Sequence, residues 1–157
     1  MALSRSMKIG VAGALFSALV GPLLGALVTS VAGAIATRQL SALLATAFYF
    51  FVAVMMFGPG ALPAGFLVGY LAHRWAREGA SAGKVMVKST GTGAAAGAVA
   101  AAASWLIVSG GRTDAYSVAM MSALGFAGGA ITAALFSWMV VRAQRRLTRA
   151  GSAASSA

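Results

Sequence analysis

The stretch Gln39–Ala72, QLSALLATAFYFFVAVMMFGPGALPAGFLVGYLA, has no charged side chain and decides the fold class. A membrane-spanning helix needs about 20 apolar residues, with a range of about 17–25. At about 1.5 Å per residue, a helix over this stretch would be roughly 50 Å long, against a hydrocarbon core of about 30 Å. The stretch is too long for one upright helix and too short for two crossings with a turn. We therefore predict one crossing that is tilted, kinked or extended beyond the bilayer.

The rest of the chain has the same character, with further uncharged stretches at Ile9–Thr37, Ser89–Gly111 and Ala115–Val141. Hydrophobic residues make up 60% and charged residues 9%, and the mean hydropathy is +0.87. A soluble domain is about 45–50% apolar and about a quarter charged. The sequence therefore predicts an all-α polytopic membrane protein, a four-helix transmembrane bundle whose first and second helices are kinked at their prolines. We expect spans at about 9–36, 40–72, 90–110 and 115–141 within a membrane domain over 9–141.

The charges predict how the bundle is oriented. Twelve Lys and Arg stand against two acids, for a formal net charge of +10. Most of the basic residues fall in three segments, the N-terminus, the central loop and the tail: Arg5, Lys8, Arg74, Arg77, Lys84, Lys88, Arg142, Arg145, Arg146 and Arg149. The other two loops hold only Arg38 and Arg112. The positive-inside rule then places residues 1–8, the central loop and a basic, then flexible tail over 142–157 in the cytoplasm.

This distribution also indicates partners. Basic residues at the ends of apolar runs meet the bilayer and its anionic lipids rather than nucleic acid, so we expect headgroup contacts from these arginines: Arg74, Arg77, Arg142, Arg145, Arg146 and Arg149. The preference for Arg over Lys and the richness in Ala and Gly are typical of GC-rich bacterial coding, which indicates the inner membrane of a bacterium.

The N-terminus has an alternative interpretation as a signal peptide. Arg5 and Lys8 precede an apolar run, and Ala34 and Ala36 resemble an A-x-A cleavage site. The run is about twice the usual 7–15 residues of such a peptide. We therefore expect a first helix that is retained.

Small residues offer a way to hold the helices together. Every predicted span contains a Gly-x-x-x-Gly pair, which lets helix backbones approach closely in lipid: Gly21/Gly25, Gly65/Gly69, Gly93/Gly97 and Gly125/Gly129. The third span, TGTGAAAGAVAAAASW, has almost no large side chain before Trp105. We predict that this helix is central in the bundle or lies in a subunit interface.

The chain is poor in reactive groups. It has no cysteine, its two acids, Glu78 and Asp114, fall in loops on opposite sides, and its one histidine, His73, falls at the cytoplasmic boundary. Serines and threonines within the spans lack a neighbouring base that would activate them. We therefore expect no enzyme activity, no cofactor and no metal site, and we interpret His73 as an interfacial side chain.

The prolines remain as candidates for function. Gly21-Pro22 and the FGPGALP segment each lie about 20 Å from a predicted cytoplasmic boundary, so an antiparallel hairpin would bring them to one depth. Facing helix breaks are how some transporters build a site without charged side chains. The candidate cavity residues are Gly21, Pro22, Gly58, Pro59, Gly60 and Pro63. We expect an accessory or structural subunit that packs against other membrane proteins or its own copies; the alternative is a small transporter, channel or lipid-handling subunit with its site at these prolines.

Overall fold

The chain forms four long helices. The computed structural model describes the backbone of residues 4–154, and the side chains within that range except at Arg5, Thr29, Ala32, Leu40, Ala42 and from residue 147 onward. The helices are α1 (Arg5–Thr37), α2 (Thr46–Arg77), α3 (Ala82–Val108) and α4 (Ala115–Ala154), and a 3₁₀ segment (Leu40–Ala45) precedes α2. Residues 4–154 contain no strand, and all four helices are long and apolar enough to cross a membrane. The predicted all-α architecture with four such helices is thereby confirmed.

Local signals in the sequence start the helices. The hydroxyl of Ser4 accepts a hydrogen bond from Met7 N at 3.3 Å, and that of Ser81 accepts one from Lys84 N at 3.4 Å. Before α4, Asp114 Oδ1 accepts one from Ser117 N at 2.6 Å, and the Ser117 hydroxyl donates to Oδ2 at 3.2 Å. Both bonds stabilise the carboxylate and hold the pKa of Asp114 below its ordinary value, and the bond from the backbone N–H has the larger effect. These side chains satisfy N–H groups that the first turn of a helix leaves without partners.

The helices extend past the predicted spans. Lys84 and Lys88, expected in the central loop, lie in the first two turns of α3, because the helix begins at Ala82 rather than near residue 90. The loop between α2 and α3 is reduced to Glu78–Ser81, where Gly79 adopts a φ of +78°. Similarly, α4 continues beyond the expected end at residue 141. Hydropathy marks where the apolar run ends, whereas a helix continues until a turn residue or a terminus stops it.

The prolines do not interrupt the helices. The backbone is α-helical on both sides of Pro22 in α1 and of Pro59 and Pro63 in α2. The FGPGALP segment lies within one continuous helix, since α2 runs from Thr46 to Arg77. In a membrane helix, neighbouring helices and local backbone adjustment compensate for the hydrogen bond that a proline removes.

Two antiparallel hairpins make up the bundle. In the first hairpin α1 packs along α2, and in the second hairpin α3 packs along α4. The hairpins meet mainly through α2 and α3, and less extensively through α1 and α4. Among the described residues, the diagonal pair α1 and α3 do not approach each other. Each hairpin is therefore more tightly packed within itself than it is against the other.

Packing is uneven along the bundle axis. Near the α2–α3 turn the helices enclose Val68, Ala72, Val85, Ser89 and Phe136, all buried; we call this the closed end. At the opposite end, which holds the 3₁₀ segment and the α3–α4 loop, no residue of 46–57 or 115–131 is buried. We call it the open end. Burial in α2 and α4 is thus concentrated toward the closed end, whereas Ser30 of α1 and Ser104 of α3 are buried nearer the open end.

Candidate functional site

The second hairpin is joined by direct contact between backbones. A Cβ atom added to Gly97 would lie 3.0 Å from Gly129 Cα, and one added to Gly93 would lie 2.7 Å from the carbonyl oxygen of Gly129. Gly125 faces the backbone of Gly97 in the same way. Only glycine fits at these positions, so the pairs that the sequence predicted in α3 and α4 lie against each other.

In the first hairpin α1 and α2 also meet at glycines, but the glycines of α1 that make this contact are not the ones we expected. A Cβ on Gly65 would lie 2.5 Å from the carbonyl oxygen of Gly13 and from Ser17 Cβ, and one on Gly69 would lie 2.8 Å from the carbonyl oxygen of Ile9. The structure therefore brings Gly65 and Gly69 against Gly13 and its neighbours. The pair expected there lies elsewhere, since a Cβ on Gly21 comes no closer than 3.9 Å to Thr132 Oγ1 and one on Gly25 meets no atom within 4 Å.

An apolar cleft lies between the two hairpins. It has a volume of about 480 Å³, and all four helices line it. The polar side chains on its wall are Ser17, Tyr49 and Thr132; the other wall residues are glycine, alanine, proline or larger apolar residues, and none is charged. The glycine contacts hold each hairpin together, and the cleft lies between the hairpins, where its α2 wall runs from Tyr49 near the open end to Val68 at the closed end.

The six candidate cavity residues divide into two groups. Gly21 and Pro22 line the cleft, and Pro22 is buried. In α2, Pro59 and Pro63 are exposed on the outer surface and Gly60 faces Ser104, whose Oγ would lie 2.9 Å from a Cβ at that glycine. Gly58 is buried but is also absent from the wall of the cleft. The cleft is therefore lined by the candidates of α1 alone, while other residues of α2, among them Phe57 and Ala61, form its opposite wall.

Reactive groups do not gather at the cleft. Within residues 4–146 no group of three His, Cys, Asp or Glu side chains is placed to hold a metal ion. The ion pair between Arg74 Nε and Glu78 Oε1, at 2.8 Å, lies on the surface of the closed end. The described part of the cleft wall thus provides shape and an apolar surface rather than catalytic groups.

The structure places His73 differently from the sequence interpretation. Its side chain is 4% exposed, and its Nδ1 lies 3.4 Å from Gln144 Nε2 on α4. His73 therefore contributes to the packing of α2 against α4 at the closed end instead of facing the headgroups. The spacing from Val68 and Ala72, both buried on the same helix, is the signal that would have indicated this.

Cations and tryptophans pair at the closed end. Lys88 Nζ lies 5.5 Å from the centre of the Trp75 ring, and Arg142 Cζ lies 5.1 Å from that of Trp138. Such pairs occur where a membrane protein meets the headgroup region, because the ring and the cation both favour it. Of the six arginines expected to contact headgroups, the side chain of Arg149 lies outside the described residues.

No protein-family model, curated protein or solved structure matches this chain.

Proposed function

We propose that the chain is a small non-enzymatic integral membrane protein that serves as an accessory or structural subunit and packs against other membrane helices. The outer face of α3 supports this proposal. Gly91, Ala95, Val99 and Ala103 are exposed at successive turns, of which only Val99 is larger than alanine, and a Cβ on Gly91 would meet no atom within 4 Å. A small-residue face forms few contacts with lipid but lets another helix approach closely. The partner is another membrane protein or a further copy of this chain.

The proposed location is the inner membrane of a bacterium, with both termini and the α2–α3 turn in the cytoplasm. The charges support this orientation, since the described basic side chains lie mostly at the closed end, and only Arg38 and Arg112 lie at the open end. Anionic lipids would bind at the closed end, where each nearby Lys or Arg contributes about 1 kcal/mol.

We expect Ala95→Leu to lower the amount of co-purified partner about tenfold, which corresponds to about 1.4 kcal/mol of association free energy. The leucine side chain would hold the partner helix away from the small-residue face. The measurement is quantitative mass spectrometry of what is captured with the tagged protein in mild detergent, combined with chemical cross-linking to separate other proteins from copies of this chain.

The matched control is Ala123→Leu, which makes the same change at an exposed position of α4. Co-purification should be the same for this variant as for the wild type. Equal capture by the wild type and by Ala95→Leu would exclude the α3 face as the docking surface.

A second candidate function is favoured by the cleft. The chain would then be a small transporter, channel or lipid-handling subunit whose site is the part of the cleft next to Pro22, at the depth of Pro59. Gly13 contacts Gly65 and Gly69 where α1 crosses α2. Pro22 follows Gly13 by nine residues along α1, and Pro59 precedes Gly69 by ten residues along α2. At about 1.5 Å per residue the prolines lie at similar depth, about 14 and 15 Å from the crossing. We propose that both bend their helices there, with Pro22 facing the cleft.

Pro22→Ala tests this candidate. Alanine restores the backbone hydrogen bond and removes a ring from the wall of the cleft, so the bend and the shape of the site should both change. We expect the flux of ions, or of fluorescent lipid, through reconstituted liposomes to fall about tenfold, as a barrier higher by about 1.4 kcal/mol would cause.

Pro59→Ala is the comparison, since this proline is exposed on the outer surface of α2. Pro59→Ala removes a bend without altering the wall of the cleft, so it should lower the flux less than Pro22→Ala does. Wild-type protein that gives no flux above empty liposomes would rule out the transport and channel forms of the candidate.

A further inference from the structure

A recess on the surface of α4 lies where the helix leaves its apolar run. Five exposed residues line it: Trp138, Met139, Arg142, Ala143 and Arg146. Ala143 is the one small residue among them, and it leaves room between the longer side chains. The apolar run of the fourth predicted span ends at Val141, just before the first of the two arginines. The recess therefore has an apolar part and a basic part, and it lies at the boundary of the span.

The spacing of these residues brings the two arginines to one face of the helix. Trp138, Arg142 and Arg146 follow one another at intervals of four residues, which places their side chains in one row along α4. Arg142 Cζ lies 5.1 Å from the centre of the Trp138 ring. A guanidinium that stacks on a ring still presents N–H donors along its edge. The ring thus holds one guanidinium in place beside the recess, and the other is one turn further along.

The chain has no anion of its own for this pair. It contains two acids. Glu78 accepts a hydrogen bond from Arg74 Nε at 2.8 Å, and Asp114 precedes the start of α4, about 42 Å of helix away from Arg142. Within the described residues, neither Arg142 nor Arg146 forms an ion pair. An anion that neutralises these arginines has to come from outside the chain.

The apolar part of the recess selects a lipid rather than a soluble anion. Trp138 is 48% exposed and Met139 is 39% exposed, and both border the same recess as the two arginines. A soluble phosphate would leave these side chains uncovered, whereas a phospholipid covers them with the first part of its acyl chains. Tryptophan favours the headgroup level of a bilayer, and arginine binds phosphate with paired hydrogen bonds. The two parts of the recess thus match the two parts of one lipid molecule.

We infer that this recess binds one anionic phospholipid of the leaflet at the closed end, with its phosphate on Arg142 and Arg146 and its acyl chains against Trp138 and Met139. A zwitterionic headgroup brings a cation of its own, which the two arginines repel. The inference rests on the proposed membrane location, and it narrows a general attraction of anionic lipids to one site. It is independent of the partner, of flux and of which side of the membrane the closed end faces.

Removing the two charges tests the site. The variant carries both Arg142→Gln and Arg146→Gln. The matched control carries Arg77→Gln and Lys84→Gln, which remove the same charge from exposed positions at the same end of the bundle. Phosphatidylglycerol retained by protein purified in mild detergent would be counted by native mass spectrometry. We expect about tenfold lower retention in the first variant, equivalent to about 1.4 kcal/mol, and wild-type retention in the control.

A second variant separates paired hydrogen bonds from charge alone. Arg142→Lys combined with Arg146→Lys keeps both charges but loses the planar fork of donors. This protein should retain less phosphatidylglycerol than the wild type, and its preference over phosphatidylcholine should be weaker. Wild-type retention and preference in the lysine variant would contradict binding of the phosphate by the guanidinium groups.

Three results would overturn the site. One is equal retention by the wild type and the Arg142→Gln, Arg146→Gln protein. Another is an equal loss in the control, which would mean attraction by charge without a site. The third is displacement of the lipid by excess inorganic phosphate in the purification buffer, which would make a soluble anion the ligand. Wild-type protein found outside the membrane fraction would instead refute the proposed location, and partner capture is not used here, so each failure is visible separately.

Discussion

Replacing Gly97 by leucine is expected to destabilise the second hairpin by about 3 kcal/mol or more, at the upper end of the cost of overpacking a core. The position allows no side chain, since a Cβ would collide with the carbonyl of Gly125 and lie 3.0 Å from Gly129 Cα. Leucine has the better helix propensity by less than about 1 kcal/mol, which is too little to offset the separation of two backbones. The measurement is the midpoint of unfolding in increasing sodium dodecyl sulfate, followed by the fluorescence of Trp105 and Trp138.

Gly91→Leu is the control for this variant, because it makes the same change on the same helix. A Cβ at Gly91 meets no atom within 4 Å. The free energy of unfolding of Gly91→Leu should therefore stay within about 0.5 kcal/mol of the wild type, as it usually does for surface substitutions. If Gly97→Leu unfolded at the wild-type midpoint, the result would contradict the close contact between the backbones of α3 and α4 at Gly97.

Replacing Gly13 by leucine is expected to have the second largest effect, a loss of about 2–3 kcal/mol from the first hairpin. A Cβ here would lie 2.5 Å from the carbonyl oxygen of Gly65 and 3.0 Å from Gly69 Cα, so α1 would have to move away from α2. The same unfolding assay applies, with Trp75 on α2 as the reporter within the first hairpin.

Gly25→Leu makes this prediction specific to the observed register. The sequence pairs Gly25 with Gly21 as a packing motif, whereas in the structure a Cβ on Gly25 meets no atom within 4 Å and faces the cleft. We therefore expect a change below about 0.5 kcal/mol. A larger loss for Gly25→Leu than for Gly13→Leu would mean that α1 packs one or more turns away from the register described.

The number of helices could be predicted from the sequence because charges separate the apolar runs. The start of α3 could not, since Lys84 and Lys88 are polar residues on a helix that continues beyond its apolar run. Long basic side chains reach the headgroup region from such positions while their stems stay on apolar surface.

The cleft could be predicted only in part, since the candidates Gly21 and Pro22 line it whereas those of α2 do not. Its position depends on which glycines of α1 meet α2, and Gly10 and Gly13 are no more conspicuous in the sequence than Gly21 and Gly25. The register is decided by the sum of contacts along both helices, including the fit of Ser17 against Gly65. Local spacing thus indicated that the helices can approach closely, while the choice of partner residues required the three-dimensional structure.

The glycine crossings have a mechanical consequence. Because each hairpin is held backbone against backbone, it behaves as a rigid body, and the short turn Glu78–Ser81 is the covalent link between the two bodies. Widening the space between them is then a rotation about this pivot, for which Gly79 provides the unusual backbone angle. The rings of Phe16 and Phe136, with centroids 5.6 Å apart, also join the two hairpins, through α1 and α4. Parting the hairpins therefore separates this aromatic pair together with the contacts that α2 makes with α3 and α4.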